Sequence, residues 1–216
     1  MRKLCIGVLA LASCAMSFAE EISYSMNFKV WSNSVKITNP STDVTTAAAN
    51  SPIVGFSARK GDYFASASFM LDSSYRHQTV WLNRQDNDFS LGYRLTDNFS
   101  VIGGYRTASL TDGSQSNWVD RSTTYYVGTS GFKQVAEKIF IYGNLAYGAL
   151  TNKNDYETFR DGSIITYEAG GGYAFDNTTQ LVFGYRNQDM SLYNITKSRL
   201  EKNYMGGLIV GLNVNF

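Results

Sequence analysis

The chain has 216 residues, with 19 Lys and Arg against 18 Asp and Glu, one His, two Cys, 15 Tyr and 13 Phe. That near-neutral balance excludes the basic stripe of a nucleic-acid binder. A single histidine, with both cysteines (Cys5 and Cys14) at the extreme N-terminus, excludes an ordinary zinc site and a disulfide framework in the rest of the sequence.

Arg2 and Lys3 precede an apolar run from Leu4 to Met16 and then Ser17-Phe18-Ala19, the layout of a secretory signal peptide over residues 1–19. A competing reading places lipidation at Cys14, because Leu11-Ala12-Ser13-Cys14 resembles a lipoprotein box. The apolar run before Cys14 is short for that, so cleavage after Ala19 is expected. The remaining chain, residues 20–216, reads as one domain without cysteine, in which loss of Arg2 and Lys3 turns 19 basic against 18 acidic residues into 17 against 18. After residue 19 no run reaches the ~18 apolar residues of a spanning helix.

From there the pattern has a period of two, the signature of strands whose successive side chains point to opposite faces. The first strand, Ile22 to Trp31, sets Ile22, Tyr24, Met26, Phe28 and Val30 against Ser23, Ser25, Asn27 and Lys29. A long polar loop to Ser51 is predicted next. Strands Ile53 to Arg59 and Asp62 to Leu71 follow, joined at Lys60-Gly61, and then a loop near 72–85. Asp88 to Leu95 and Phe99 to Leu110 flank Thr96-Asp97-Asn98. Ser122 to Phe132 alternates poorly, and Lys138 to Leu150 alternates well. Ser163 to Phe175 and Thr179 to Met190 flank Asp176-Asn177-Thr178. The last strand, about Leu200 to Phe216, puts Leu208, Val210, Leu212, Val214 and Phe216 on one face.

Ten strands result, with eight as the alternative. Their connections alternate between short turns and longer polar segments near 32–51, 72–85, 111–121, 151–162 and 191–199. The predicted fold class is all-β, a closed antiparallel transmembrane β-barrel, because only a closed sheet satisfies every backbone group in lipid. The two hairpins around Asp97 and Asn177 also repeat: Gly92-Tyr93 and Gly104-Tyr105-Arg106 match Gly172-Tyr173 and Gly184-Tyr185-Arg186 at a constant offset of 80 positions.

The terminal strand, ending on an aromatic residue, resembles the closing strand of Gram-negative outer-membrane β-barrels, and the Gly-Tyr-Arg pieces resemble those of small OmpA-like barrels. The resemblance implies an outer-membrane location, short turns in the periplasm and longer loops outside. It implies that Phe216 belongs to an assembly signal read by the barrel-assembly machinery. The implied partners are outer-membrane lipid and lipopolysaccharide, with small solutes or extracellular ligands at the pore or loops. The implied role is structural or porin-like, with a surface adhesin or ligand-binding barrel as the alternative. No peptidoglycan-binding domain follows the barrel pattern, so the resemblance carries no cell-wall anchor.

With the apolar face toward lipid, the polar face lines the lumen. Counting back from the turns sets Asp88 opposite Arg106 and Glu168 opposite Arg186, each on the polar face and close enough to form an ion pair. Arg59 and Asp62 are expected to pair beside Lys60-Gly61, and Arg94 belongs to the same candidate set. Such pairs either form a charged constriction or satisfy charges in a narrow interior, since about eight strands give a filled barrel and about 16 a water channel. Gly92, Gly104, Gly170, Gly172, Gly184, Gly207 and Gly211 on the lumen face leave room for long arginines, a thin water path or strand curvature.

No enzyme, cofactor or metal site is expected, and no residue is assigned a catalytic role. His77, near Ser73 and Ser74, offers a rim hydrolase as the weakest alternative, and Asp86 with Asp88 is a faint echo of the paired aspartates of omptin proteases, whose acidic partner beside the histidine is missing here. Trp81, Trp118, Tyr75, Tyr125 and Tyr126 are expected in interfacial girdles.

Overall fold

The computed structural model describes residues 22–39, 42–77, 80–112, 119–154, 159–193 and 200–216. Residues 1–21, with the expected signal cleavage and Cys14, lie outside these, as does Trp118.

Ten long strands, β1 (Ser23–Asn39), β3 (Ala49–Lys60), β4 (Tyr63–His77), β5 (Val80–Thr96), β6 (Phe99–Asp112), β7 (Val119–Ala136), β8 (Ile139–Asn154), β9 (Phe159–Ala174), β10 (Thr179–Tyr193) and β11 (Leu200–Asn215), pair antiparallel in chain order. A four-residue strand, β2 (Thr42–Thr45), folds back on the end of β1. The sheet closes where β1 meets β11, from Ser25 opposite Asn215 to Thr38 opposite Lys202. Closure leaves the ladder without an open edge, which is what a sheet in hydrocarbon requires.

The outward face carries a continuous apolar belt. Leu91, Val127 and Leu208 are 70%, 69% and 70% exposed, and Phe28, Val30, Leu145, Phe183 and Val210 accompany them. A ring of this kind far exceeds the apolar patch tolerated in water, and lipid is the solvent that covers it. Tyrosines mark its two rims: Tyr63 with Tyr93, ring centroids 5.0 Å apart, near the short turns, and Tyr105 with Tyr125, 5.1 Å apart, at the other side.

The strands run further than expected, and the loops are correspondingly shorter. Segments read as loops near 32–51 and 72–85 are largely strand, because β1 continues to Asn39, β4 to His77, and β5 begins at Val80. Two physical causes hid this. A strand of about 16 residues rises roughly 40 Å at the usual tilt, against an apolar band of about 25 Å. Above that band the outward side chains are polar, as at Asn83, Gln85 and Asn87 on β5, so alternation fades. The second cause is a bulge: Met70 faces Asp86 and Ser73 faces Arg84, leaving Leu71 and Asp72 against Gln85 alone. The extra residue flips the phase, so Phe64 to Met70 point inward on even numbers and Ser73 and Tyr75 on odd ones.

The short turns fall close to where the sequence put them. The first is Gly61-Asp62 rather than Lys60-Gly61, since Lys60 pairs with Tyr63, and Gly61 takes a φ of 59°, open to a residue without Cβ.

The lumen is not uniformly polar. Toward the long connections the inward face of β1 turns from Ser25, Asn27 and Lys29 to Trp31, Asn33 and Val35, of which Trp31 and Val35 join Ile53, Met70, Tyr75, Met205 and Ile209 in a buried apolar cluster inside the barrel. A second cluster, Leu150, Ile164, Met190 and Leu192, lies on β8, β9 and β10. Tyr75, expected in a girdle, is fully buried here, bonding Asn33 (2.7 Å) and Ser51 (3.0 Å). Nearer the short turns, lumen glycines receive aromatic rings from the neighbouring strand: Phe64 over Gly92, Tyr126 over Gly104 and Phe140 over Gly172, each a directly opposed pair. A methyl at any of the three would collide with the ring, so these positions serve ring packing rather than a water path.

Candidate functional site

The ion-pair layer crosses the lumen between these aromatic rings and the apolar cluster. Its first half is built by β5 and β6. Their register sets Asp88 opposite Arg106, both inward by parity. The guanidinium grips one carboxylate oxygen, with Nε 2.6 Å and Nη2 2.5 Å from Oδ2. Tyr126 donates its hydroxyl to the other oxygen at 2.5 Å, and Arg106 Nη1 reaches Thr166 Oγ1 at 3.1 Å. Tyr126, expected in a girdle, therefore points inward, while Tyr125 points outward. Arg106 also lies 5.6 Å from the centre of the Tyr126 ring. Every charge in this half has a partner at hydrogen-bond distance, the condition under which buried charge is tolerated.

The second half is built by β9 and β10, whose register sets Glu168 opposite Arg186. Contact here is looser. Arg186 Nη1 stands 3.9 Å from Glu168 Oε2, while Lys29, from β1, donates to Oε1 at 2.9 Å. Arg186 instead rests its guanidinium 5.0 Å from the centre of the Trp31 ring, and its Nε is buried without a hydrogen-bond partner.

A third pair was not anticipated. Arg84 donates Nε to Asp86 Oδ1 (2.7 Å) and Nη2 to Asp86 Oδ2 (2.9 Å), and the same Nη2 reaches Gln188 on β10 at 3.0 Å. Arg84, Asp86 and Asp88 sit at successive inward positions of β5, a spacing that would have flagged them had 72–85 been read as strand. Asp86 and Asp88 are thus bound to arginines within the lumen. Lys29 carried no local signal, since only barrel closure brings β1 to β9.

The remaining candidates sit elsewhere. Arg59 and Asp62 do not pair: Arg59 faces Phe64 and donates Nε to the Gly61 carbonyl at 2.9 Å. The cause is the turn position, which places Asp62 in the turn itself and within 3.1 Å of Arg94. Arg94 also lies 3.6 Å from Asp97, and the trio forms an exposed cluster at the short-turn rim rather than part of the central layer. Phe216 is 72% exposed and exchanges backbone hydrogen bonds with Tyr24. His77 lies in β4 opposite Val80, and its side chain is outside the described residues.

Four cations, Lys29, Arg84, Arg106 and Arg186, thus meet three carboxylates, Asp86, Asp88 and Glu168. Between them a cavity of about 10 Å³ remains, lined by Asp86, Asp88, Arg106 and Arg186 with Ile53, Ser68 and Met70. That is room for about one water.

A closed ten-strand barrel with this apolar exterior has solved counterparts. The outer membrane protease OmpT from Escherichia coli superposes with a TM-score of 0.60 at 12% identity, over 94% of this chain and 99% of that one. The fold is that of a transmembrane β-barrel. Weaker likenesses are Neisserial surface protein A (TM-score 0.49, 12% identity, 91% of this chain and 100% of that one) and the translocator domain of the autotransporter NalP from Neisseria meningitidis (0.48, 10%, 100% and 95%). No protein-family model matches the chain, and no curated protein matches it. At these identities the likeness is one of fold, and the site's chemistry rests on this chain's own residues.

Proposed function

We propose that this chain is a structural outer-membrane barrel of a Gram-negative cell, sealed across its lumen. In this reading residues 1–19 are the cleaved export signal, and the strand ending at Phe216 is read by the barrel-assembly machinery. The outer-leaflet partner is lipopolysaccharide, and the long connections face outward. One observation carries the reading: the ion-pair layer, with room for about one water, lies directly beneath a cluster in which Trp31, Tyr75 and Met205 are 0% exposed. An ion crossing it would have to break charge-assisted bonds and then shed its water against hydrocarbon. Reconstitution into planar bilayers tests this. The reading expects no sustained ohmic conductance, and steady steps that change on Arg106→Gln would replace it with a narrow small-solute channel gated by the charged lumen.

A second reading, ligand binding at the cell surface, is supported by the wall that rises beyond the apolar belt with Asn83, Gln85, Asn87, Thr107 and Ser109 outward.

A further inference from the structure

We infer that the ion-pair layer holds one small inorganic anion, of the halide class, against Arg186. The charges of the layer do not balance among themselves. Arg84 holds Asp86 at 2.7 Å, Arg106 holds Asp88 at 2.5 Å and Lys29 holds Glu168 at 2.9 Å. These three pairs use every carboxylate of the layer, and Arg186 is the cation left over. Its contact with Glu168, at 3.9 Å, is too long for a hydrogen bond. A buried guanidinium in that position carries a desolvation cost that a counter-ion offsets.

What the polar atoms around Arg186 lack is an acceptor. Arg186 Nε, Trp31 Nε1 and Gln188 Nε2 are buried without a hydrogen-bond partner among the described residues, and all three are N–H donors that cannot accept. They belong to one neighbourhood: the centre of the Trp31 ring lies 5.0 Å from the Arg186 guanidinium, and Gln188 is the next inward residue of β10. The Gln188 amide is fixed with its nitrogen as the unpartnered end, because Oε1 accepts from Arg84 Nη2 at 3.0 Å. Buried donors left in this state are costly, and three of them beside a surplus positive charge call for an acceptor that is itself negative.

The cavity beside Arg186 sets the size. Its volume of about 10 Å³ admits one water-sized body, which selects a monatomic anion over phosphate, sulfate or a carboxylate. Met70 lines part of it, and an unbranched thioether adapts to the slightly larger radius of chloride. Ser68 contributes a hydroxyl whose proton can turn toward an anion. Asp86 and Asp88 also line the cavity, but each already accepts two guanidinium N–H contacts, so their charge is answered within the pair. A cation in the same place would raise the surplus, and a water would answer the donors while leaving the charge. The inference concerns what the layer binds as the chain folds and stands whether or not the barrel conducts.

The test uses the full barrel refolded in detergent micelles in sodium gluconate, with chloride or bromide replacing gluconate at constant ionic strength, and follows unfolding in urea. The site fills during folding, so a sealed lumen does not bar it. The expected result is a urea midpoint that rises and saturates as chloride replaces gluconate, with bromide acting likewise. Arg186→Met loses that dependence on the anion. Gln188→Glu, which adds a carboxylate at nearly constant volume beside Arg186, loses it too. Heat-modifiable migration in electrophoresis reports that each variant is folded, and if Arg186→Met fails there, Gln188→Glu decides. Anomalous scattering from crystals of the parent barrel grown in bromide locates the ion independently, in contact with Arg186. A midpoint indifferent to the identity of the anion, as a single trapped water would give, a chloride response that persists in a folded variant, or no bromide peak at Arg186 overturns the proposal.

Discussion

The hairpins β5–β6 and β9–β10 carry the same motif at the same distance from their turns, yet they solve the problem of a buried arginine differently. Asp88 and Arg106 satisfy one another, with Tyr126 and Thr166 taking the remaining valences. Glu168 and Arg186 hold the same register, but Lys29 arrives from β1 and captures the carboxylate at 2.9 Å, leaving Arg186 against Trp31. Register decides which residues are neighbours, and barrel closure decides which of them bond.

The largest expected effect follows from removing the shared carboxylate. Glu168→Gln leaves both Lys29 and Arg186 buried without their anion and is expected to cost about 3–5 kcal/mol, the usual penalty for breaking a buried pair. Urea unfolding in micelles measures it. A loss below about 1 kcal/mol would mean that water reaches the layer and screens it.

A matched pair of substitutions sharpens the contrast. Arg106→Met deprives Asp88 of its two guanidinium contacts and is expected to cost about 3 kcal/mol. Arg186→Met removes a guanidinium that lacks one partner and sits far from another, so it is expected to fall within about 1 kcal/mol of the parent. Equal losses at the two positions would show that the 3.9 Å separation understates the Glu168–Arg186 bond.

How much of this was legible beforehand follows the same line. Near the short turns each strand alternates cleanly and each turn fixes a register, so the opposition of Asp88 to Arg106 and of Glu168 to Arg186 comes from counting alone. Lys29 could not be found that way, because its partner lies 139 positions away and meets it only through closure. The upper wall failed for a different reason. Its outward side chains are polar and its inward ones are often apolar, as at Trp31, Val35 and Tyr75, so the rule that oil faces lipid inverts there. The bulge at Leu71 and Asp72 then shifted the phase in the middle of β4. Arg84 and Asp86 lie on β5, whose phase is unbroken there, and were lost because 72–85 was read as a loop.

The smallest effect separates the two turns. Asp176 Oδ1 accepts from the Thr178 hydroxyl (2.7 Å), the Thr178 amide (2.8 Å) and the Thr179 amide (2.7 Å), and these bonds, the Thr178 hydroxyl first, hold its carboxyl below the ordinary carboxylate range. In the other hairpin a neutral hydroxyl, Thr96 Oγ1, accepts from the Asn98 amide at 3.3 Å. A carboxylate whose folded pKa is depressed stabilises fully above its unfolded value near 4 and loses that contribution as pH falls through the folded value. The stability gap between the parent and Asp176→Ala should therefore shrink in acid, while the gap for Thr96→Ala stays flat. Parallel acid titrations of the two variants by urea unfolding check this, and a pH-independent Asp176 gap would contradict the hydrogen bonding described.

The ion-pair layer and the apolar belt both require that odd positions of β5, from Phe89 to Leu95, face acyl chains and even ones, from Asp88 to Arg94, face the lumen. A nitroxide scan of residues 88 to 95 in lipid vesicles, on the chain from Glu20 onward, which contains no cysteine, measures this directly through collisions with oxygen, which concentrates in hydrocarbon. The account predicts oxygen accessibility that alternates with a period of two and peaks at 89, 91, 93 and 95. Peaks at the even positions, or no alternation, would contradict it.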